Sequence, residues 1–475
     1  MGRIYSSARC DLLWLGEDTG LDEDVASVLE RESLKSTHMA SANFLMDGLL
    51  RLPEFDTRVP NQLKKVFDVP IVWSRIWIVQ EVAAARDVQV LYGKRKFFWQ
   101  TLRYVCYGIA ELHLSHLWSR TGDFFSQGFS HASDLLNFRQ LTRVGFTIPL
   151  SEIWERFGAF GATDPRDRVF GILGFLQEDL GVQLDYTKSP EEIFSEVTRR
   201  YISTTGDLNV LILDILYVGT GEYSLRVLPS WVPKFGTNEE IVKNLTLWKF
   251  FSAGNRRVGS SMLRELEVEQ DPQDYNILNV EGILLDALGP LISSKPLQFW
   301  LLEDFVENFQ KAQRLARHEY CSDDESLDIY WRTLSLDVVS RSQSEGELMD
   351  VDADAHRRIV KDALLEPDNK EEDRQKAAQQ LLLYTSSFTR GYCLTITQGG
   401  FSVMVPPSAK EGDVILVLFG TSAPWVARAI SELGDGDALP KRYRLIGPAY
   451  VHGFMDGEAI GMLDKGLSKR VFELV

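Results

Sequence analysis

The segment Trp73-Ser-Arg-Ile-Trp-Ile-Val-Gln-Glu81 places a carboxylate one helical turn after Trp77. On a helix, Trp73, Trp77, Gln80/Glu81 and Ala84 share one face. A carboxylate on an aromatic face is partly desolvated and its pKa rises, which suits Glu81 to proton transfer. The plainer reading, and the favoured one, pairs Glu81 with Arg75 or another cation that fixes the helix, because ion-pair networks perturb carboxylates as readily as catalysis does. Arg75 could hold a phosphate or carboxylate bidentately, or brace the helix. Trp73 and Trp77 could stack on a planar ring such as adenine, although aromatic residues at helical spacing are more often core.

Asp164-Pro165-Arg166-Asp167 offers a polar cluster at a helix start, a natural anion site. Capping already accounts for both aspartates, with Pro165 at the first helical position, so only Arg166 is left without a role. His452, flanked by Gly453 and near Glu458, could do acid–base work with that glutamate, but a hydrogen-bonded structural histidine is the simpler expectation. His113 and His116 stand three apart with no third ligand in view. No Gly-rich phosphate loop, HExxH or GxSxG is present. The four cysteines, Cys10, Cys106, Cys321 and Cys393, lack CxxC or Cys/His spacing and read as reduced, mostly buried thiols. No metal or bound cofactor is expected.

The elements that must position these residues alternate at first. Asp11–Gly16 reads as a buried strand, helical patterning runs from about 22 to 50, a helix spans about 70–85, and Val88–Tyr92 is the next strand. This suggests an α/β layer with a mainly parallel sheet. The middle third is mostly helical. Ser189-Pro190-Glu191-Glu192 forms a capping box whose helix runs to Thr205 and stops at Gly206. Leu208–Leu213 reads as a strand or buried segment. Strand-like texture begins at about 277–285, a helix follows over 299–317, and residues 340–376 form a charged, solvated insertion. Beyond it, short β-type runs at 393–397, 401–405, 413–419, 425–428 and 443–446 suggest a small barrel or sandwich.

With 475 residues, 44% hydrophobic and 11% aromatic, the chain is a folded protein of two to three domains. A net charge of −17 without a basic stripe argues against nucleic-acid binding. No run approaches the roughly 18 apolar residues of a membrane helix, and a soluble cytoplasmic protein is expected.

Four segments, in order, resemble those of the fungal heterokaryon-incompatibility (HET-domain) family. They are Ile4–Gly16; Trp73–Glu81; Thr163–Asp167 with Gly171–Gly174, Asp185-Tyr186 and Leu228–Trp231; and Gly412-Asp413, Pro424, Arg428, Tyr450–Gly453 and Gly457-Glu458. The family's usual opening, Tyr-x-x-Leu-Ser-Tyr-x-Trp-Gly followed by Trp-x-Asp-x-x-Cys-Ile-Asn-Gln, is absent. The resemblance thus implies an N-terminally truncated HET domain, from a late gene-model start or a truncated paralogue. It also implies a fold similar to Toll/interleukin-receptor (TIR) domains, some of which hydrolyse NAD using a glutamate. Glu81 would then be the key carboxylate stabilising a ribosyl cation, with Arg75, Trp77 and Arg166 as binding residues and NAD as substrate. The expected architecture is an incomplete TIR-like α/β domain over 1–93, a mainly helical extension over 94–235, and an α+β region over 236–475 with a β-rich end. The expected role is non-self recognition and cell-death signalling. Its alternatives are a non-enzymatic module acting through protein partners or self-association, and an inactive paralogue.

Overall fold

The computed structural model describes residues 5, 7–30, 48–53, 55–114, 127–214, 228–233, 248, 251–254, 276–293, 295–316, 323–337, 370–389, 391–430 and 442–475. The chain forms two compact units, 1–194 with 235–239 and 195–234 with 240–475, a coarser division than the three regions expected.

In the first unit, β1 (Asp11–Trp14), β2 (Val88–Tyr92) and β3 (Arg95–Phe98) form a sheet in that order. β1 and β2 run parallel, with Asp11 opposite Val88, whereas β2 and β3 form an antiparallel hairpin. The sheet is therefore mixed, not mainly parallel, because the two-residue link Gly93-Lys94 turns the chain straight back. Gly93 is required there: its φ is +56°, and a Cβ would sit 2.8 Å from the Asp18 Cβ. The expected helix over 22–50 begins as α1 (Glu23–Leu29), capped by the Asp22 carboxylate, and residues 31–47 of that expectation lie outside the described residues. α2 (Phe55–Phe67) follows.

The expected helix over 70–85 is broken. Ile71–Ser74 makes one 3-10 turn, Arg75 is extended, and α3 covers only Ile78–Ala84. The break is held by backbone pairing with a distant loop: Ile76 N donates to Gly161 O at 3.0 Å, and Gly161 N donates to Ser74 O at 2.5 Å. Trp73 therefore precedes the helix that carries Glu81 and does not share its face. It is fully buried, donates from Nε1 to Val66 O at 2.9 Å and packs against Phe67. The rest of the unit is helical, with α4 (Trp99–Leu114), α5 (Gln127–Arg143), α6 (Leu150–Phe157) and α7 (Asp167–Phe170). Phe138, Phe157 and Phe160 meet edge to face in its core. α8 (Pro190–Thr205) starts with the expected capping box, Ser189 N bonding Glu192 Oε2 and Glu192 N bonding Ser189 Oγ, and ends at the left-handed Gly206.

The second unit is built on strands β4 (Leu278–Leu291), β5 (Cys393–Thr397), β6 (Ser402–Val405), β7 (Val414–Leu418), β8 (Trp425–Ala429), β9 (Arg442–Pro448), β10 (Tyr450–Val451) and β11 (Arg470–Leu474). Their order is β10-β6-β5-β4-β11-β9-β8-β7, and a further β4–β7 pairing closes β4, β11, β9, β8 and β7 into a barrel. The fourteen-residue β4 makes this possible, pairing first with β11, then β7 and finally β5 along its length. Its shifts in register between Leu284 and Asp286 and between Leu288 and Leu291 bend it around the corner. Ile283, Val403, Ile415, Val417, Val426 and Val451 belong to one buried hydrophobic cluster. Leu208–Asp214, read as strand or buried segment, is a 3-10 helix whose first residues are buried. α9 (Leu302–Leu315) and α10 (Asp323–Leu334) pack against the sheet, α11 (Glu371–Thr389) precedes β5, and α12 (Glu458–Gly461) follows β10. Most of the charged insertion expected over 340–376 lies outside the described residues. Among the described residues no helix is long and apolar enough to cross a membrane.

Candidate functional site

Glu81 sits in the middle of α3, half-buried, and its carboxylate accepts a hydrogen bond from the Tyr5 hydroxyl. Burial pushes the Glu81 carboxyl above the usual range, and the Asp11 carboxylate at the start of β1 adds to the rise. The Tyr5 bond and, more weakly, Arg75 pull it back. Asp11 is itself raised by burial, and the Tyr5 phenol is raised by burial and by Glu81. Two carboxylates and a phenol thus share one small region, and the side chain bonded to Glu81 is Tyr5. This arrangement favours the protonated form of the Glu81 carboxyl. It also lies toward the amino ends of the parallel strands β1 and β2, since Asp11 and Val88 open them, whereas open α/β sheets bind ligands beyond the carboxyl ends.

The other expected binding residues scatter. Arg75 is exposed, and Trp77 stands partly buried just before α3, its carbonyl accepting from the amides of Gln80 and Glu81. Trp73 belongs to the core. Arg166 has found its role elsewhere: it grips both oxygens of Asp164 at 2.9 and 2.6 Å, and Nη1 donates to the carbonyls of Tyr186 and Lys188 at 2.6 and 2.8 Å. Its guanidinium also lies over the Tyr186 ring, whose hydroxyl donates to Asp167 at 2.6 Å. The Arg166 bonds draw the Asp164 carboxyl below its ordinary value, while burial, and then the bond to Asp167, pushes the Tyr186 phenol up to about 12 against the pull of Arg166. Arg166 is thus a clasp between two loops and leaves no open anion site.

Sequence reasoning missed Arg139. This side chain is fully buried on α5, stacks over Trp99 at 4.8 Å, and donates to the carbonyls of Val82, Ala85 and Arg86 at the end of α3. Its place on the stripe Ala132, Leu135, Leu136, Arg139 was the available signal: an arginine at a core position must find partners.

In the second unit, the Ser230 hydroxyl donates to Val475 O at 2.5 Å and accepts from Leu445 N at 2.9 Å, so Leu228-Pro-Ser-Trp231 pins the chain's last strand. Asp413, nearly fully buried, holds Arg428 through two 2.8 Å bonds and braces β7 against β8. The His452 ring lies 3.3 Å from the Tyr450 hydroxyl, in keeping with the structural histidine expected, while Glu458 accepts from Asp456 N. Cys106 and Cys393 are buried, Cys10 is exposed, and Cys321 and His116 fall outside the described residues. Among the described residues, no group of three or more His, Cys, Asp or Glu could hold a metal ion.

Residues 303–470 match the family model described as the Het-6 beta-barrel domain. The structure shows that the barrel closes on β4, which precedes that span. Among curated proteins, the chain is similar to heterokaryon incompatibility protein 6, OR allele, of Neurospora crassa, with 24% identity over 358 residues. That match covers 62% of this chain and 49% of the relative, so the chain spans about half the relative's length. No solved structure matches.

Proposed function

This chain is a relative of the fungal heterokaryon incompatibility proteins, and from that premise we propose that it acts in heterokaryon incompatibility as a non-enzymatic signalling protein whose first unit self-associates. The observation that carries the reading is the open edge of β1. Asp11 N and Leu15 N donate to the carbonyls of Asp87, just before β2, and Leu91 within it, so the amides of Leu12 and Trp14, which alternate with them, turn the other way, where no strand lies among the described residues. The side chains of Leu12 and Trp14 are 60% and 47% exposed. Large apolar groups beside an unpaired strand edge are a template for strand addition, and natural proteins usually blunt such edges with charge or proline. A second copy of β1 would extend the sheet and cover both side chains.

The experiment is sedimentation velocity on the wild-type chain and on Trp14→Lys. The wild type should show a concentration-dependent dimer that the variant lacks. A monomeric wild type, or a dimer indifferent to the change, would remove the support.

NAD hydrolysis by a TIR-like first unit is the second reading, favoured by one observation, the raised and half-buried Glu81 carboxyl. Three others weigh against it: Trp73 lies in the core, Arg166 is spent on a clasp, and the carboxylates sit toward the amino ends of their strands. Cell-death signalling and a cytoplasmic site of action follow from the kinship as parts of the same proposal.

A further inference from the structure

The residues along the open edge of β1 distinguish one mode of self-pairing from another. Asp11 N and Leu15 N are spent on Asp87 O and Leu91 O, so the outward backbone groups belong to Leu12 and Trp14. The side chains of those two residues share the exposed face of the sheet, and Leu13 and Leu15 share the buried one. Arg9 and Glu17, both exposed, flank the strand at opposite ends.

Two identical strands that meet edge to edge form a closed pair when they run antiparallel about a two-fold axis normal to the sheet. Parallel pairing would set Arg9 beside Arg9 and Glu17 beside Glu17, and like charges side by side are destabilising. Antiparallel pairing brings Arg9 of one copy to the Glu17 end of the other. With the axis at Leu13, Leu12 of each copy faces Trp14 of the other, Leu13 faces Leu13, and Arg9 comes level with Glu17. Moving the axis to Leu12 sets Trp14 against Cys10 and Arg9 against Leu15. Moving it to Trp14 sets Leu12 against Gly16 and the Asp11 carboxylate against that of Glu17. Only the Leu13 axis joins apolar to apolar and cation to anion.

Resting on the self-association proposed above, we infer that β1 pairs with β1 of a second copy in antiparallel register, Leu13 opposite Leu13 on the two-fold axis. Leu12 of one copy and Trp14 of the other exchange both main-chain bonds. The two three-stranded sheets become one continuous sheet, and the Arg9 and Glu17 charges set the register.

Disulfide trapping on the full 475-residue chain reads the register directly. Hydrogen-bonded antiparallel neighbours stand about 5.5 Å apart at Cα, within disulfide reach, whereas diagonal neighbours lie beyond it. In a Cys10→Ser background, chains carrying Leu12→Cys are mixed with chains carrying Trp14→Cys and oxidised, and the linked peptides are identified by mass spectrometry. One Leu12–Trp14 pair stays intact in the mixed dimer. The mixture should link position 12 to position 14, and each variant alone should give roughly tenfold less product. In sedimentation, Arg9→Glu should weaken the dimer roughly tenfold, and adding Glu17→Arg should restore it. Linking of position 12 to itself or of position 14 to itself, or a dimer indifferent to both charge changes, would overturn this register while leaving self-association standing. A wild-type chain that stays monomeric at every concentration would overturn both.

Discussion

Arg139 crosses from α5 to the end of α3 and donates to the carbonyl of Ala85 at 2.8 Å, closing the helix that carries Glu81. The same side chain reaches Val82 and Arg86, while Thr142 and Arg143 of α5 take the carbonyls of Ala83 and Arg86. The last carbonyls of a helix have no partner within it, and here one neighbouring helix supplies partners to Val82, Ala83, Ala85 and Arg86 at that end. Arg139→Ala would leave buried carbonyls unmet and a void beside Trp99. It should cost roughly 2–4 kcal/mol, visible as an earlier urea midpoint for the first unit. A loss below half a kcal/mol would show that the cap is ornamental.

Glu81 makes a signed prediction about pH. Its carboxyl is raised in the folded chain by burial and by Asp11, so folding favours the protonated form. That contribution is complete below the ordinary carboxylate range and is lost as pH rises through the raised value. Glu81→Gln keeps an acceptor for Tyr5 without the charge. The variant should therefore be more stable than wild type at neutral pH, with the advantage vanishing in acid, by urea titration at several pH values. Asp164, lowered by its bond to Arg166, works in the opposite sense: its stabilisation is present above the ordinary carboxylate range and fades as pH falls through the depressed value.

Two ion pairs in the barrel should separate by burial. Asp413 is nearly sealed from solvent and holds Arg428 with two bonds while accepting from Lys410 N. Asp413→Asn should cost about 1–3 kcal/mol and lower the barrel's melting temperature. Arg442 and Glu473 pair on the surface, and Arg442→Ala should cost less than about 1 kcal/mol. Equal effects of the two changes would contradict the assignment.

Much of the fold was legible because its signals are local. The Ser189–Glu192 capping box, the stop at Gly206, β1, β2 and the short C-terminal strands all follow from neighbouring residues. What escaped depends on distant partners. The break at Arg75 is made by Gly161, the role of Arg166 by Tyr186 and Lys188, and the barrel's closure by β4 reaching β7. Periodicity could not have indicated any of these. At the candidate site, Glu81 was identified and its raised carboxyl expected, but its hydrogen-bond partner proved to be Tyr5, a residue outside the helix and outside the aromatic stripe that drew attention to it.

The central claim, that association through β1 and not catalysis at Glu81 carries the signal, is tested most directly by inducible expression of the full-length gene product in a filamentous fungus. Colony growth and cellular NAD are read together for wild type, Leu12→Lys/Trp14→Lys and Glu81→Gln. Growth arrest should persist in Glu81→Gln with NAD unchanged throughout, and disappear in the β1 variant. Arrest accompanied by NAD loss, both abolished by Glu81→Gln and both retained by the β1 variant, would contradict the claim and establish the enzymatic reading in its place.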